Sequence, residues 1–116
     1  MNDRLLGFIS IGMKAGASTL GSDMTERAAR AGKTHLIILS EDASANTKKL
    51  VYNVAKTKNI EVIEHYEMDV LGAACGKPQL SVIGVKKRDI ARQLISLYAK
   101  TVKGGKLDDR TEIPCP

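Results

Sequence analysis

The chain reads as an α/β fold in which a sheet is sandwiched between layers of helix. Three observations predict this. Short apolar runs rich in branched residues alternate with amphipathic stretches of helical period, the connections between them are short, and no internal repeat or composition break interrupts the order before residue 101. Aromatic residues make up only 3% of the chain, with no Trp and Phe8 as the one phenylalanine, so the core is to be built from Ile, Val, Leu and Ala.

Each element has its own local signature. From Arg4 to Ala15, Leu5, Leu6, Ile9 and Met13 recur at helical spacing, with Asp3 as N-cap and Gly16 as the stop. Residues Ala17 to Leu20 form a brief edge strand before Gly21. A second helix runs from Ser22 to Ala31 and ends at Gly32. Thr34 to Ser40 is a continuous apolar run, the pattern of a strand covered on both faces. Either Asp42 or Ser44 caps the next helix, which continues to about Lys58 with Leu50, Val51, Val54 and Ala55 on its apolar side. Ile60 to Glu64 is a strand, Glu67 to Ala74 a short helix closed by Gly76, and Leu80 to Val85 a further strand. Asp89 to Lys100 is a last amphipathic helix with Ile90, Leu94, Ile95 and Tyr98 inward. Residues 1–100 are thus one domain. Residues 101–116, with glycines, prolines and mixed charge but no period, read as a flexible tail.

Composition narrows the function. The net charge of +5 and a pI near 9.3 suit a polyanionic partner. The excess sits in two segments: residues 1–33 carry five basic against three acidic side chains, and residues 67–100 carry six against three. The scarcity of aromatics argues against recognition of bases by stacking. Two cysteines far apart, Cys75 and Cys115, suggest neither a disulfide framework nor a metal site. The N-terminal stretch lacks the long apolar core of a signal peptide and no run is long enough to span a membrane, so the cytoplasm is the expected location.

The stretch from Gly21 to Lys58 carries the most information. Its first helix opens on a glycine and bears Arg27, Arg30 and Lys33, which puts amide donors and cations near one helix start, an arrangement that suits a phosphate backbone. The plain alternative is that these cations form the solvated face of a surface helix. Lys86-Lys87-Arg88 is a denser basic run and reads as solvated, with non-specific contact to RNA as the lesser alternative. Gly16 to Ser22 imitates the glycine spacing of a phosphate-binding P-loop, but Ser22 stands where the lysine must be. His35 and His65 are isolated from any nucleophile, and Glu41-Asp42 is better explained as an acidic helix start than as a metal pair. No enzyme, cofactor or metal is expected.

Lys14-Ala15-Gly16, Gly21 with the helix ending at Ala31-Gly32-Lys33, the buried strand running into Glu41-Asp42-Ala43-Ser44, Asn46-Thr47-Lys48-Lys49, Asn59-Ile60 and Leu71-Gly72-Ala73-Ala74 before Gly76 occur in an order and spacing that resembles a known family. This is the ribosomal protein family of L-seven-Ae and L-thirty-e, and the likeness is closest to its small bacterial members of the YlxQ type. It covers roughly Arg4 to Tyr98. The resemblance implies a three-layer α-β-α sandwich with a four-stranded mixed sheet, and a non-catalytic protein that binds structured RNA such as kink-turns, ribosomal RNA or the ribosome among its partners.

By position, the resemblance assigns the RNA-contacting helix start to Gly21, Ser22, Asp23, Met24 and Arg27. Asp23 falls where Asn is usual, Met24 where Glu is usual, and Arg27 at a lysine position. An Asp accepts hydrogen bonds only, while Arg27 keeps the cation and adds a planar fork. A second contact is implied for the loop before the last strand, at Gly76, Lys77 and Pro78; on this reading Lys14, Arg27, Arg30 and Lys33 are expected to hold phosphates. The competing reading is a protein-interaction module on the same fold, its RNA face altered at Asp23 and Met24.

Overall fold

In a computed structural model, which describes residues 4–14, 16 and 18–100, the alternating pattern becomes nine elements. They are α1 (Arg4–Lys14), β1 (Ser18–Leu20), α2 (Ser22–Arg30), β2 (Leu36–Leu39), α3 (Ala45–Lys58), β3 (Glu61–Glu64), α4 (Met68–Ala74), β4 (Val82–Val85) and α5 (Arg88–Ala99). Every element expected from the sequence is present. The strands are shorter at their margins than the apolar runs that announce them. Thr34, His35, Ser40, Leu80 and Ser81 lie outside the ladders, although His35 still donates to the Val85 carbonyl and Ser40 to that of Ser81. The expected Asp3 cap and the tail from residue 101 fall outside the described residues.

The strand order is β1-β4-β2-β3. β2 is parallel to β3 and antiparallel to β4, which is antiparallel to β1. The sheet is therefore mixed: β1, β2 and β3 run one way, and β4 runs back between β1 and β2. Alternation along the strands divides the core in two. Leu36 and Ile38 of β2 with Ile83 and Val85 of β4 face Leu5 and Ile9 of α1, Leu71 of α4 and Leu94 of α5. Ile37 and Leu39 of β2 with Val82 of β4 face Ala29 of α2 and Val51 and Val54 of α3. The result is a three-layer sandwich with α1, α4 and α5 on one face and α2 and α3 on the other.

Two caps set the start of the second half. Ser44 is the N-cap of α3, its hydroxyl accepting the Thr47 N–H at 3.1 Å. Asp42, the other candidate, acts elsewhere: its Oδ1 accepts the Met68 N–H at 2.9 Å and so satisfies the opening of α4 from another loop.

These directions give the molecule two distinct ends. At one, β1, β2 and β3 finish and α2, α3 and α4 begin. At the other, α2 and α3 finish and β4 passes into α5.

Candidate nucleic-acid interface

The start of α2 is fixed by backbone geometry. Gly21 is its N-cap, at φ 96° and ψ 159°, a region open only to glycine. Its N–H donates to the Val82 carbonyl at 2.9 Å and its carbonyl accepts the Thr25 N–H at 3.1 Å. No side chain caps the helix. Its first-turn amides, which have no intrahelical partner, therefore stand beside half-buried Ser22 and exposed Asp23 and Met24. Asp23 carries the one charge in that turn and is favourably placed toward the positive end of the helix dipole. Met24 is 55% exposed, an apolar surface with nothing packed over it among the described residues.

A close approach below this turn holds the helix to the sheet. Thr25 is buried, and its hydroxyl lies 3.0 Å from that of Thr19 in β1. Both sit over Gly84 of β4, where an added Cβ would come within 2.5 Å of Thr19 Oγ1 and 2.8 Å of Thr25 Cγ2. Only a residue without a side chain lets α2 settle this deeply. The sequence carried a signal for this contact, a glycine inside the apolar strand LSVIGV, since glycine within a strand marks a close approach.

The second expected element, the loop at Gly76, Lys77 and Pro78, is just as firmly set. Gly76, at φ 73°, donates to the Ala73 carbonyl, and Lys77 donates to the Gly72 carbonyl at 2.7 Å, the paired bonds of a Schellman motif. The loop then folds back over Gly72, where a Cβ would lie 2.7 Å from backbone atoms of Gln79 and Lys77. Lys77 and Pro78 are exposed at its tip. Cys75, at its base, is buried, and burial pushes its thiol up. The loop leads into β4, whose first residue, Val82, accepts the Gly21 hydrogen bond. The α2 start and the loop thus share one end of the sheet.

The cations do not all gather there. Arg27 and Arg30 belong to the last turn of α2, not its start. With a rise of about 1.5 Å per residue, Arg30 stands roughly 12 Å along the axis from Ser22. Its guanidinium is engaged by Glu26, Nη2 to Oε2 at 2.8 Å. Lys33 follows the helix and leads into β2 at the opposite end of the sheet, and Lys14, described here by its backbone alone, closes α1 at that same end. The expected cluster of amides and cations at one helix start is therefore corrected to amides at the start and cations farther down. Of these cations Arg27 is the nearest to the start of α2, exposed and without an ion pair to a described residue.

The loops around this end and the starts of α2 and α4 are acidic, whereas the start of α3 carries Lys48 and Lys49. Asp23, Glu41, Asp42, Glu67 and Asp69 stand against exposed Lys49 and Lys77, while Lys48 is held by Glu64 at 3.0 Å. The acids do not form a cation cage: no group of three or more His, Cys, Asp or Glu among the described residues could hold a metal ion. His65, whose Nδ1 lies 3.6 Å from a Glu41 oxygen and whose ring packs on Tyr66 and Tyr98, serves as a strut between loop and helix. No helix among the described residues is long and apolar enough to cross a membrane.

The sequence profile of the "Ribosomal protein L7Ae/L30e/S12e/Gadd45 family" matches residues 4–95, from the first helix to the last. The chain belongs to this family. Among its relatives are the RNA-binding protein YlxQ of Bacillus subtilis, 32% identical over 77 residues, which are 66% of this chain and 77% of that protein, and an RNA-binding protein of Geobacillus, 35% identical over 63 residues, 54% of this chain and 77% of that one. They place the chain with the YlxQ-type members of bacteria. A Bacillus halodurans protein of unknown function has the same fold with a TM-score of 0.80 and 30% identity, covering 83% of this chain and 97% of its own. The 15.5 kD RNA binding protein of Giardia lamblia superposes with a TM-score of 0.68 at 19% identity, over 90% of this chain and 92% of its own, a likeness of fold.

Proposed function

We propose that the protein is a non-catalytic, cytoplasmic RNA-binding protein that meets structured, kink-turn-like RNA, ribosomal RNA among the candidates, at the start of α2 and the loop Gly76 to Pro78. One observation supports the reading: the Gly21 N–H bonded to Val82 ties the uncapped helix start to the strand into which that loop runs, so both exposed backbone elements open at the same end of the sheet. Uncapped amides and a glycine-shaped loop are suited to phosphate and to a sharply bent backbone. Membership of the family and the names of its YlxQ-type relatives support RNA as the ligand. Arg27, farther along the helix, supplies a cation for phosphates that run on from the amides, and Met24 an apolar contact for a base or ribose face.

A second reading, a protein-interaction module, is favoured by the acidic rim of Asp23, Glu41, Asp42, Glu67 and Asp69, which repels phosphate. Titration of a kink-turn RNA and a straight duplex of equal length, at two salt concentrations, separates the two. Tighter binding of the kink-turn that is weakened by Arg27→Glu supports the RNA reading. RNA binding that is absent, or indifferent to salt and to Arg27→Glu, moves the interaction module to first place.

A further inference from the structure

The end of the sheet opposite the α2 start carries the charge that the first end lacks. Three neighbouring strands bring it together. Val85 is paired with Leu36 and Leu36 with Glu61, and His35 donates to the Val85 carbonyl at 2.8 Å. Lys33, ahead of β2, therefore lies beside Lys86 and Lys87, just past β4, on one side and Lys58, ahead of β3, on the other. Strands lie about 4.8 Å apart, so the three connections span roughly 10 Å. Arg88 opens α5 beside them, and Lys56 stands in the last turn of α3.

All six side chains are exposed, and none makes an ion pair with a described residue. Only Glu61 and Asp89 oppose them in these connections and their flanking residues. The Lys87 position also caps α5 without a side-chain hydrogen bond, so the first amides of a twelve-residue helix open onto the same surface. In sequence the cations are scattered over more than fifty positions, and the run Lys86-Lys87-Arg88 by itself reads as a solvated face. The topology, with β4 returning between β1 and β2, turns them into a surface.

We infer that this end is a second RNA-binding surface, on which Lys33, Lys58, Lys86, Lys87 and Arg88 grip the phosphate backbone of an RNA segment distinct from the one at the α2 start. The inference rests on RNA being the ligand, but not on the α2 start being where it binds. The fourteen residues of α3 separate the two ends by roughly 20 Å, so one short RNA element does not cover both. Cations without paired acids among the described residues suit phosphates rather than base edges. This surface therefore adds affinity and salt dependence but no preference for shape, and the α2 start supplies the preference. The protein would bridge two segments of a folded RNA.

The full chain and two double variants, Lys86→Glu with Lys87→Glu and Lys33→Glu with Lys58→Glu, are titrated against a kink-turn RNA with a long duplex arm and against a straight duplex, over a range of salt. Arg27→Glu is measured beside them. Each double variant is expected to bind both RNAs at least ~10-fold more weakly at about 0.1 M salt, and to lower the slope of log affinity against log salt by about one per lysine removed. The ratio between kink-turn and duplex stays unchanged. Thermal unfolding of each variant confirms that it is folded. If both double variants keep the affinity and the slope of the parent while Arg27→Glu loses binding, the second surface is overturned and the α2 reading stands. If the double variants lose binding while Arg27→Glu does not, the second surface stands and the α2 reading falls. If none of the three substitutions matters, both fall.

Discussion

The two ends of the sheet differ in how closely their parts are packed and in the charge they carry. At the end where α2, α3 and α4 begin, position is set by backbone: Gly21 at a glycine-only φ, Thr25 lowered onto Gly84, the Gly76 loop folded over Gly72, and Asp42 bonded to the Met68 amide. Charge there is net acidic and partly paired. At the opposite end, helix C-caps at left-handed Gly32 and Asn59 and strand register set the connections, and charge dominates their surface, as exposed Lys33, Lys58, Lys86, Lys87 and Arg88 show. Shape is specified by buried close contacts that tolerate no added atoms, whereas long-range attraction needs only side chains held loosely in water. Substitutions at the first end should therefore change stability and binding together, and substitutions at the second should change binding alone.

The largest expected effect is at Gly84. A branched side chain there collides with Thr19 and Thr25 and lifts α2 from the sheet, so Gly84→Val should destabilise the domain by ~3 kcal/mol. For a domain of this size that lowers the melting temperature by more than about 10 °C. Denaturant unfolding of the variant reads the loss directly. A midpoint equal to the parent's would show that the close approach is not what seats the helix, and the contrast between the ends would lose its main support.

Gly21→Ala comes next. An alanine at φ 96° is strained by about 1–3 kcal/mol, and relief of the strain requires the turn to move away from Val82. Stability and RNA preference should fall together, because the amides of α2 lose their fixed direction. Loss of stability with intact kink-turn preference would remove the α2 start from the interface.

Much of this was legible in the sequence, for reasons that differ between residues. Element order and several helix ends were readable because Ser44, Gly32 and Gly76 start or stop helices through contacts within a few residues, and because apolar runs such as Leu36 to Leu39 declare a strand covered on both sides, although not its margins. The bond from Asp42 to Met68 spans twenty-six residues and has no local signal. The cations were misgrouped for the same reason. Arg30 and Lys33 follow Ser22 closely in the chain, yet the helix carries them away from its start, and Lys33 comes to lie beside positions 58 and 86 to 88. Proximity along a chain is a poor guide to charge clusters whenever a helix or strand lies between. Gly84 was readable in principle, as a glycine inside a strand, but which side chains close over it depends on how α2 folds back.

Lys86→Glu with Lys87→Glu should leave the unfolding midpoint within about 0.5 kcal/mol of the parent, since both side chains are exposed and unpaired with any described residue. A large loss of stability would mean that this end is structurally committed and would break the comparison from the other side.

The smallest effect is expected at Glu64, where the two kinds of end can be told apart by pH. Its carboxylate accepts the Tyr52 hydroxyl and pairs with Lys48 at 3.0 Å, and the Tyr52 hydrogen bond, aided by Lys48, holds the carboxyl below its ordinary range. A group whose pKa is depressed by folding adds stability above its unfolded value, and the gain disappears as the pH falls through the folded value. Glu64→Gln should therefore be less stable than the parent by a few tenths of a kcal/mol at neutral pH, as expected of a half-exposed pair, with the gap closing in acid below about pH 4. A gap that persists unchanged at low pH would assign the effect to packing. The same substitution frees Lys48 at the acidic end, so RNA affinity at low salt should rise at neutral pH. That rise should persist in the Lys86→Glu and Lys87→Glu background, because the two ends act on separate segments. A rise that vanishes there would mean the ends share one RNA contact.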